Sequence, residues 1–156
     1  MPSLQSITEI EVRYVELKHS PSLGEALILL RMRWREGKKD RETALRLAFL
    51  AWYSYTEPAF LTGLPLDEDL SGIFVESFNS LGGEQSTDAE VCFVFGTMIE
   101  ISTLCMGDNS HWPAIGKKLM SRFSAICPQG LPQEIFSQRG AYGAYFGHIS
   151  HIRPHS

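Results

Sequence analysis

Apolar positions recur along most of the chain at helical spacing, punctuated by short clusters of Gly, Pro, Ser and Asp. Leu23, Leu27, Leu30 and Trp34 follow one another at intervals that place them on one helical face. Ser22 and Glu25 have the capping-box form, a hydroxyl followed three residues on by a carboxylate that can reach back to free backbone N–H groups. Gly37 ends that helix. Asp40 then predicts an N-cap for a helix with Leu45, Ala48, Phe49 and Trp52 on one side and Ala44, Leu47 and Ala51 beside them. So wide an apolar arc predicts a central helix touched on several sides, with Trp52 in the core. Pro58 closes it, because the residue before proline is pushed out of helical geometry.

The next helix is expected from about Asp67 to Leu81, buried through Leu70, Ile73, Phe74, Phe78 and Leu81 and stopped by Gly82 and Gly83. Thr87 and Glu90 repeat the capping-box form and open a helix expected to reach Met106, with Phe95 in the core. Val91 to Phe95 would suit a buried strand on composition alone, but the cap and the length favour helix. Asn109 or Ser110 caps a further helix through Trp112, Ile115, Leu119, Phe123 and Ile126. Its Pro113 falls in the first turn, where a missing N–H costs nothing. A short helix over 132–139 is expected before Gly140.

The two ends of the chain are less regular. Over residues 1–20, Ile10, Val12 and Tyr14 alternate with charged residues like a strand, yet Ile7, Ile10, Tyr14 and Leu17 also share a helical face. Helix is preferred, since no sheet is predicted for a lone strand to join. Residues 141–156 mix Gly, aromatics and His without a clear period, and are expected to be a loosely ordered tail.

Together these elements predict an all-α protein, an irregular bundle of five to seven helices built from αα-hairpins, forming one domain over residues 1–156. Helix starts near 22, 67 and 110 lie about 45 residues apart, so a short helical-repeat-like array is the alternative. A chain of 156 residues hides enough surface for a core without metal or disulfide support. Cys92, Cys105 and Cys127 form no C-x-x-C pair and are expected as buried free thiols in a reducing compartment. The first residues lack a basic stretch followed by an apolar one, and the most apolar windows, 44–53 and 91–99, fall short of the ~20 residues of a membrane span. No membrane association and a cytoplasmic location are expected.

Charge changes the picture more than composition does. Residues 31–46 hold seven Lys or Arg against three acids, whereas residues 47–116 hold ten Asp or Glu and no Lys or Arg. Natural surfaces usually intersperse the two signs. Either the basic helix ends near 35 and 117 fold back and cancel the acidic stretch, or it stays an open acidic face that steers a basic partner. The leading expectation is a non-catalytic protein–protein binding module that inhibits or sequesters a basic, nucleic-acid-binding partner, as antitoxin or immunity-type proteins do. Glu57, Asp67, Glu68 and Asp69 would supply its charge, with Phe60 and Leu61 as an apolar anchor beside them.

Other chemistries have thinner support. Asp67 and Asp69 could hold a divalent cation or act as acid and base in a small metal-dependent hydrolase, although acids also favour helix N-termini for electrostatic reasons alone. His148, His151 and His155 have a spacing that can bring imidazoles together, yet they lie in the irregular tail, with Pro154 between the last two and no acid or Cys nearby. They are metal candidates only, and no cofactor is expected. Arg31, Arg33, Arg35, Lys38, Lys39 and Arg41 surround Met32 and Trp34, but a helix spreads them around its axis, so direct nucleic-acid binding is not expected. An oligomeric scaffold, with an apolar helix face covered by a second copy, is the third reading.

Overall fold

The computed structural model describes residues 2–17, 21–107 and 110–152, apart from the side chains of Leu17, His151 and Ile152. Eight α-helices are found among the described residues. They are α1 (Leu4–Leu17), α2 (Leu23–Arg35), α3 (Arg41–Thr56), α4 (Ala59–Thr62), α5 (Asp69–Ser80), α6 (Ala89–Ile101), α7 (Trp112–Ile126) and α8 (Gly140–Ile152). Short 3₁₀ turns lie at Gly83–Gln85, Leu104–Met106 and Gln133–Phe136, and no described residue is in a strand. The protein is an all-α, irregular bundle. None of these helices is long and apolar enough to cross a membrane.

The central helix is α3. Residues Thr43 to Trp52 are buried without a break, and α3 packs against α2, α5 and α8. Asp40 caps it by accepting the Thr43 N–H at 2.7 Å. Trp52 is buried beside Phe49 and Tyr145, and its indole N–H donates to the Ser102 carbonyl at 3.1 Å. Phe95 lies on α6 against Phe74 and Phe78. Both aromatic residues are core, as their spacing predicts.

Several expectations give way. The open array is excluded by a direct contact between the first helix and the last: α1 packs on α8 as well as on α2, whereas stacked repeats touch only their neighbours. The Ser22 hydroxyl does not cap α2; it donates to the Ile10 carbonyl of α1, a long-range use that spacing cannot reveal. The cap of α6 is Asp88 rather than Thr87, its carboxylate accepting the N–H groups of Glu90 and Val91. This helix stops at Ile101 instead of Met106, because Ser102 is extended and its hydroxyl accepts the Leu104 N–H, a local bond that competes with the helix. The N-cap position of α7 is His111, without a side-chain cap bond, rather than Ser110; Asn109, the other expected cap, lies outside the described residues. The short helix near 132–139 contracts to a 3₁₀ turn. Cys92 and Cys105 are buried, with the Cys105 thiol pushed up to about 12 by burial, but Cys127 is half-exposed.

The largest correction is at the C-terminal end. Residues 140–152 are a helix packed into the core, not a loose tail, because Ala141, Tyr142 and Phe146 are buried against α3 and the Gln133–Phe136 turn. An ion pair between α1 and α3 fixes where α8 begins. Arg46, 2% exposed, donates to Glu11, 0% exposed, at 2.5 Å. The second oxygen of Glu11 accepts the Ala141 N–H at 3.1 Å. A Cβ on Gly140 would run into Glu11 and Arg46, and the residue has φ +67°, so glycine is required on both counts. Burial pushes the Glu11 carboxyl up, against the pull of the Arg46 guanidinium. Around this pair, Arg139 bonds Glu42 at 2.6 Å and Glu90 at 2.7 Å, and the Tyr142 hydroxyl donates to Glu90 at 2.5 Å.

Two measurements test this architecture. Trp52→Ala is expected to cost about 3–5 kcal/mol in denaturant unfolding, the range for removing a large buried aromatic side chain. A loss under about 1 kcal/mol would mean that α3 is not the centre of the core. Arg46→Met and Glu11→Leu should each cost about 3–5 kcal/mol, since either strands a buried charge, while the double variant should lose clearly less than the two together. Simple additivity would show that the pair is not coupled.

Candidate functional site

The residues singled out in the sequence lie where α3 passes into α5. Glu57 is the C-cap of α3, its N–H bonded to the Tyr53 carbonyl, and Pro58 turns the chain into α4. This single helical turn leaves Phe60 81% exposed and Leu61 exposed beside it, while Thr62 and Leu64 are buried and anchor the segment. Gly63 closes the turn with its N–H on the Ala59 carbonyl. Leu66 follows, 73% exposed. Asp67 accepts the Asp69 N–H at 3.0 Å and so shapes the first turn of α5.

The acidic side chains here divide into two kinds. Arg31, reaching from α2, donates to Asp67 at 3.2 Å and lies 4.0 Å from Asp69. The Asp69 N–H, and then Arg31, hold the Asp67 carboxyl below the usual carboxylate range. Among the described residues no Arg or Lys nitrogen lies within 4.0 Å of Glu57 or Glu68. Burial, then the neighbouring Cys105, Glu68 and Asp67, raise the Tyr55 hydroxyl, which places the Leu104–Met106 turn at the same end of the bundle. Leu104 and Ile101 are exposed there too.

Elsewhere the basic segment folds back over the acidic stretch. Lys39 pairs with Glu76, Lys118 with Glu84, and Arg41 with both Asp88 and Glu90. With Asp67 and Asp69, six acids of residues 47–116 are therefore seen to meet Arg or Lys among the described residues. The stretch is not one continuous bare face. Arg33 is used internally as well, donating to Thr43, Asp40 and the Pro2 carbonyl.

Asp67 and Asp69 are thus committed to Arg31 and the helix start. Among the described residues no three His, Cys, Asp or Glu side chains converge as a metal site would require. His148 is exposed on α8, and the side chains of His151 and His155 lie outside the described residues.

Sequence reasoning missed a cavity of about 580 Å³ between α1, α3 and α8, lined by Tyr14, Phe49, Tyr53, Ala144, Tyr145 and His148 among others. The Tyr14 and Tyr53 hydroxyls meet at 3.1 Å. A neighbouring groove of about 490 Å³ runs along α1 past Glu16, Glu134, Arg139, Gly143 and Gly147. The signal for the first was present, since Tyr142, Tyr145, Phe146 and Ile149 have helical spacing. Compared with models of protein families, with curated proteins and with solved structures, the chain matches none.

The Glu76 pairing gives a pH test. Its carboxylate accepts from the Trp34 indole N–H at 2.9 Å and from Lys39 at 3.2 Å, and the indole bond is the first cause of a pKa below the ordinary 4.5. A depressed carboxyl stabilises the folded state above its unfolded pKa, and that contribution disappears as pH falls through the lower folded value. The part of the fluorescence that Trp34→Phe removes should titrate with a midpoint below 4.5, and Glu76→Gln should abolish that step. A midpoint above 4.5 would contradict the pairing.

Proposed function

We propose that the protein is a non-catalytic protein–protein binding module whose contact surface is the α4 end of the bundle. The observation that carries this reading is the exposure of Phe60 and Leu66, two large apolar side chains held out by a segment whose neighbours Thr62 and Leu64 are buried. Apolar side chains presented by a fixed backbone beside unpaired carboxylates have the composition of a binding hot spot. The partner's complement is an apolar pocket rimmed by Lys or Arg that meet Glu57 and Glu68. The basic character required of it is narrower than the charge pattern of the sequence implies, because Arg31 already meets Asp67 and Asp69. Sequestering or inhibiting a basic protein fits such a surface. Free Cys92, Cys105 and Cys127 suit a reducing, cytoplasmic setting.

The second reading, an oligomeric scaffold, is favoured by Ile101 and Leu104 at the same end, which widen the apolar surface enough to interest a second copy. Site-specific photo-crosslinking in the native host separates the two. A crosslinker at position 60 should give discrete adducts with a basic protein, lost at high salt and in Glu57→Lys/Glu68→Lys. The same probe at exposed Ser121 of α7 should give none of them. Adducts of the chain with itself, joined by a dimer mass in light scattering that Phe60→Asp removes, would replace this proposal with the scaffold. Identical adducts from both positions would overturn both readings.

A further inference from the structure

The cavity between α1, α3 and α8 lies on a different part of the molecule from Phe60 and Leu66, and its walls have their own chemistry. Tyr14, Phe49, Tyr53 and Tyr145 line it over a small-residue floor of Ala141 and Ala144. Two of the ring pairs are steeply inclined, Tyr53 to Tyr145 at 71° and Tyr14 to Tyr53 at 83°, while Phe49 is tilted 42° to Tyr145 and stacked on Tyr53 at 29°. Walls built from rings at such angles offer π surface from more than one direction. Their polar complement is sparse. The Tyr14 and Tyr53 hydroxyls are bonded to each other at 3.1 Å.

Among the described residues no Lys or Arg lines the cavity. Glu57, the C-cap of α3, stands one turn beyond Tyr53. Burial first, and Glu57 as a lesser cause, raise the Tyr53 and Tyr145 hydroxyls. Among the described residues no Arg or Lys nitrogen lies within 4.0 Å of Glu57. An anion would be repelled here, and a bare metal ion would find too few oxygen ligands to replace its water. A neutral apolar molecule would fit the walls but leave the carboxylate unused. A cation with its charge spread over methyl groups loses little hydration on entry and gains from both the ring faces and Glu57. The volume, about 580 Å³, is within the range of sites that enclose small organic ligands.

We propose that this aromatic cavity is a binding site for a methylated ammonium group, held by Tyr14, Phe49, Tyr53 and Tyr145 with Glu57 as counter-charge. That chemistry reaches a protein from two sources, a free small cation or a methylated lysine side chain. Titration calorimetry at pH 8 compares them through choline and a trimethyllysine peptide. The neutral control is 3,3-dimethylbutan-1-ol, which has the shape of choline without its charge. Trp52, whose ring lies 5.7 Å from Tyr145, gives an independent fluorescence readout.

One of the two cations is expected to bind about tenfold more tightly than the neutral alcohol, and the tighter of them identifies the source. Tyr145→Leu, which keeps the apolar volume, should weaken the cation about tenfold, and Glu57→Gln should weaken it several-fold. Phe60→Asp should leave it unchanged, so failure here and failure of the protein-binding proposal are separate results. The inference is overturned if the alcohol binds as tightly as the tighter of the two cations, or if neither cation gives saturable binding. Should Tyr145→Leu not fold, Glu57→Gln decides, and parental affinity in that variant overturns the assignment.

Discussion

Glu11 and Arg46 are two opposite charges removed from water at the junction of α1, α3 and α8, and the arrangement of those helices is organised around satisfying them. Dehydrating either ion alone costs several kcal/mol, so each must find its partners inside the protein. Glu11 finds two, the Arg46 guanidinium and the Ala141 N–H in the first turn of α8. The second bond fixes the start of the last helix to within one residue, and the tight fit of Gly140 removes the remaining freedom. From that anchor Tyr142 reaches Glu90, and Tyr145 packs edge-on against Tyr53 beside the cavity. The candidate ligand site is in this sense set up by a charge pair that does not line it.

The second organising feature is the contrast between charge along the chain and charge in space. Basic and acidic residues occupy separate stretches of sequence, yet most of the acidic stretch meets Arg or Lys from elsewhere, as in Arg31 with Asp67 and Arg41 with Asp88 and Glu90. Exposed pairs of this kind contribute only about 0–1 kcal/mol each. Their larger effect is to reject other packings of the helices, in which acids would face one another. Glu57 and Glu68 stand outside this pairing, and both lie beside surfaces without an internal partner.

The readable parts of the sequence are those whose causes are local. Asp40 caps α3 because the carboxylate and the N–H it accepts are three residues apart. The apolar arc of α3 marks it as central because a helix buried on most of its circumference has few polar positions to spare. Long-range causes leave weaker traces. Nothing near Ser22 shows that its hydroxyl serves Ile10, and nothing near Glu11 shows that a carboxylate among the charged residues of α1 is fully buried. At α8 the helical stripe of Tyr142, Tyr145, Phe146 and Ile149 is present but obscured by Gly140, Gly143 and Gly147, which lower intrinsic helix propensity. Packing explains one of these directly, since a Cβ on Gly143 would collide with the Phe136 carbonyl. The acids near Asp67 are visible as charges and Arg31 as one of the basic residues able to fold back on them, but spacing alone does not choose between that pairing and an open face.

The bond between Glu11 and Ala141 spans 130 positions of sequence. Closing so long a loop costs entropy before any contact rewards it, and chains dominated by distant contacts assemble slowly. One oxygen of the Glu11 carboxylate takes its donor, the Ala141 N–H, from α8, the helix that also places Tyr142 and Phe146 in the core. During synthesis on the ribosome the residues of α1 emerge first and those of α8 follow far behind, so the dry interior of this half of the bundle is completed late, by the segment that carries its aromatic side chains.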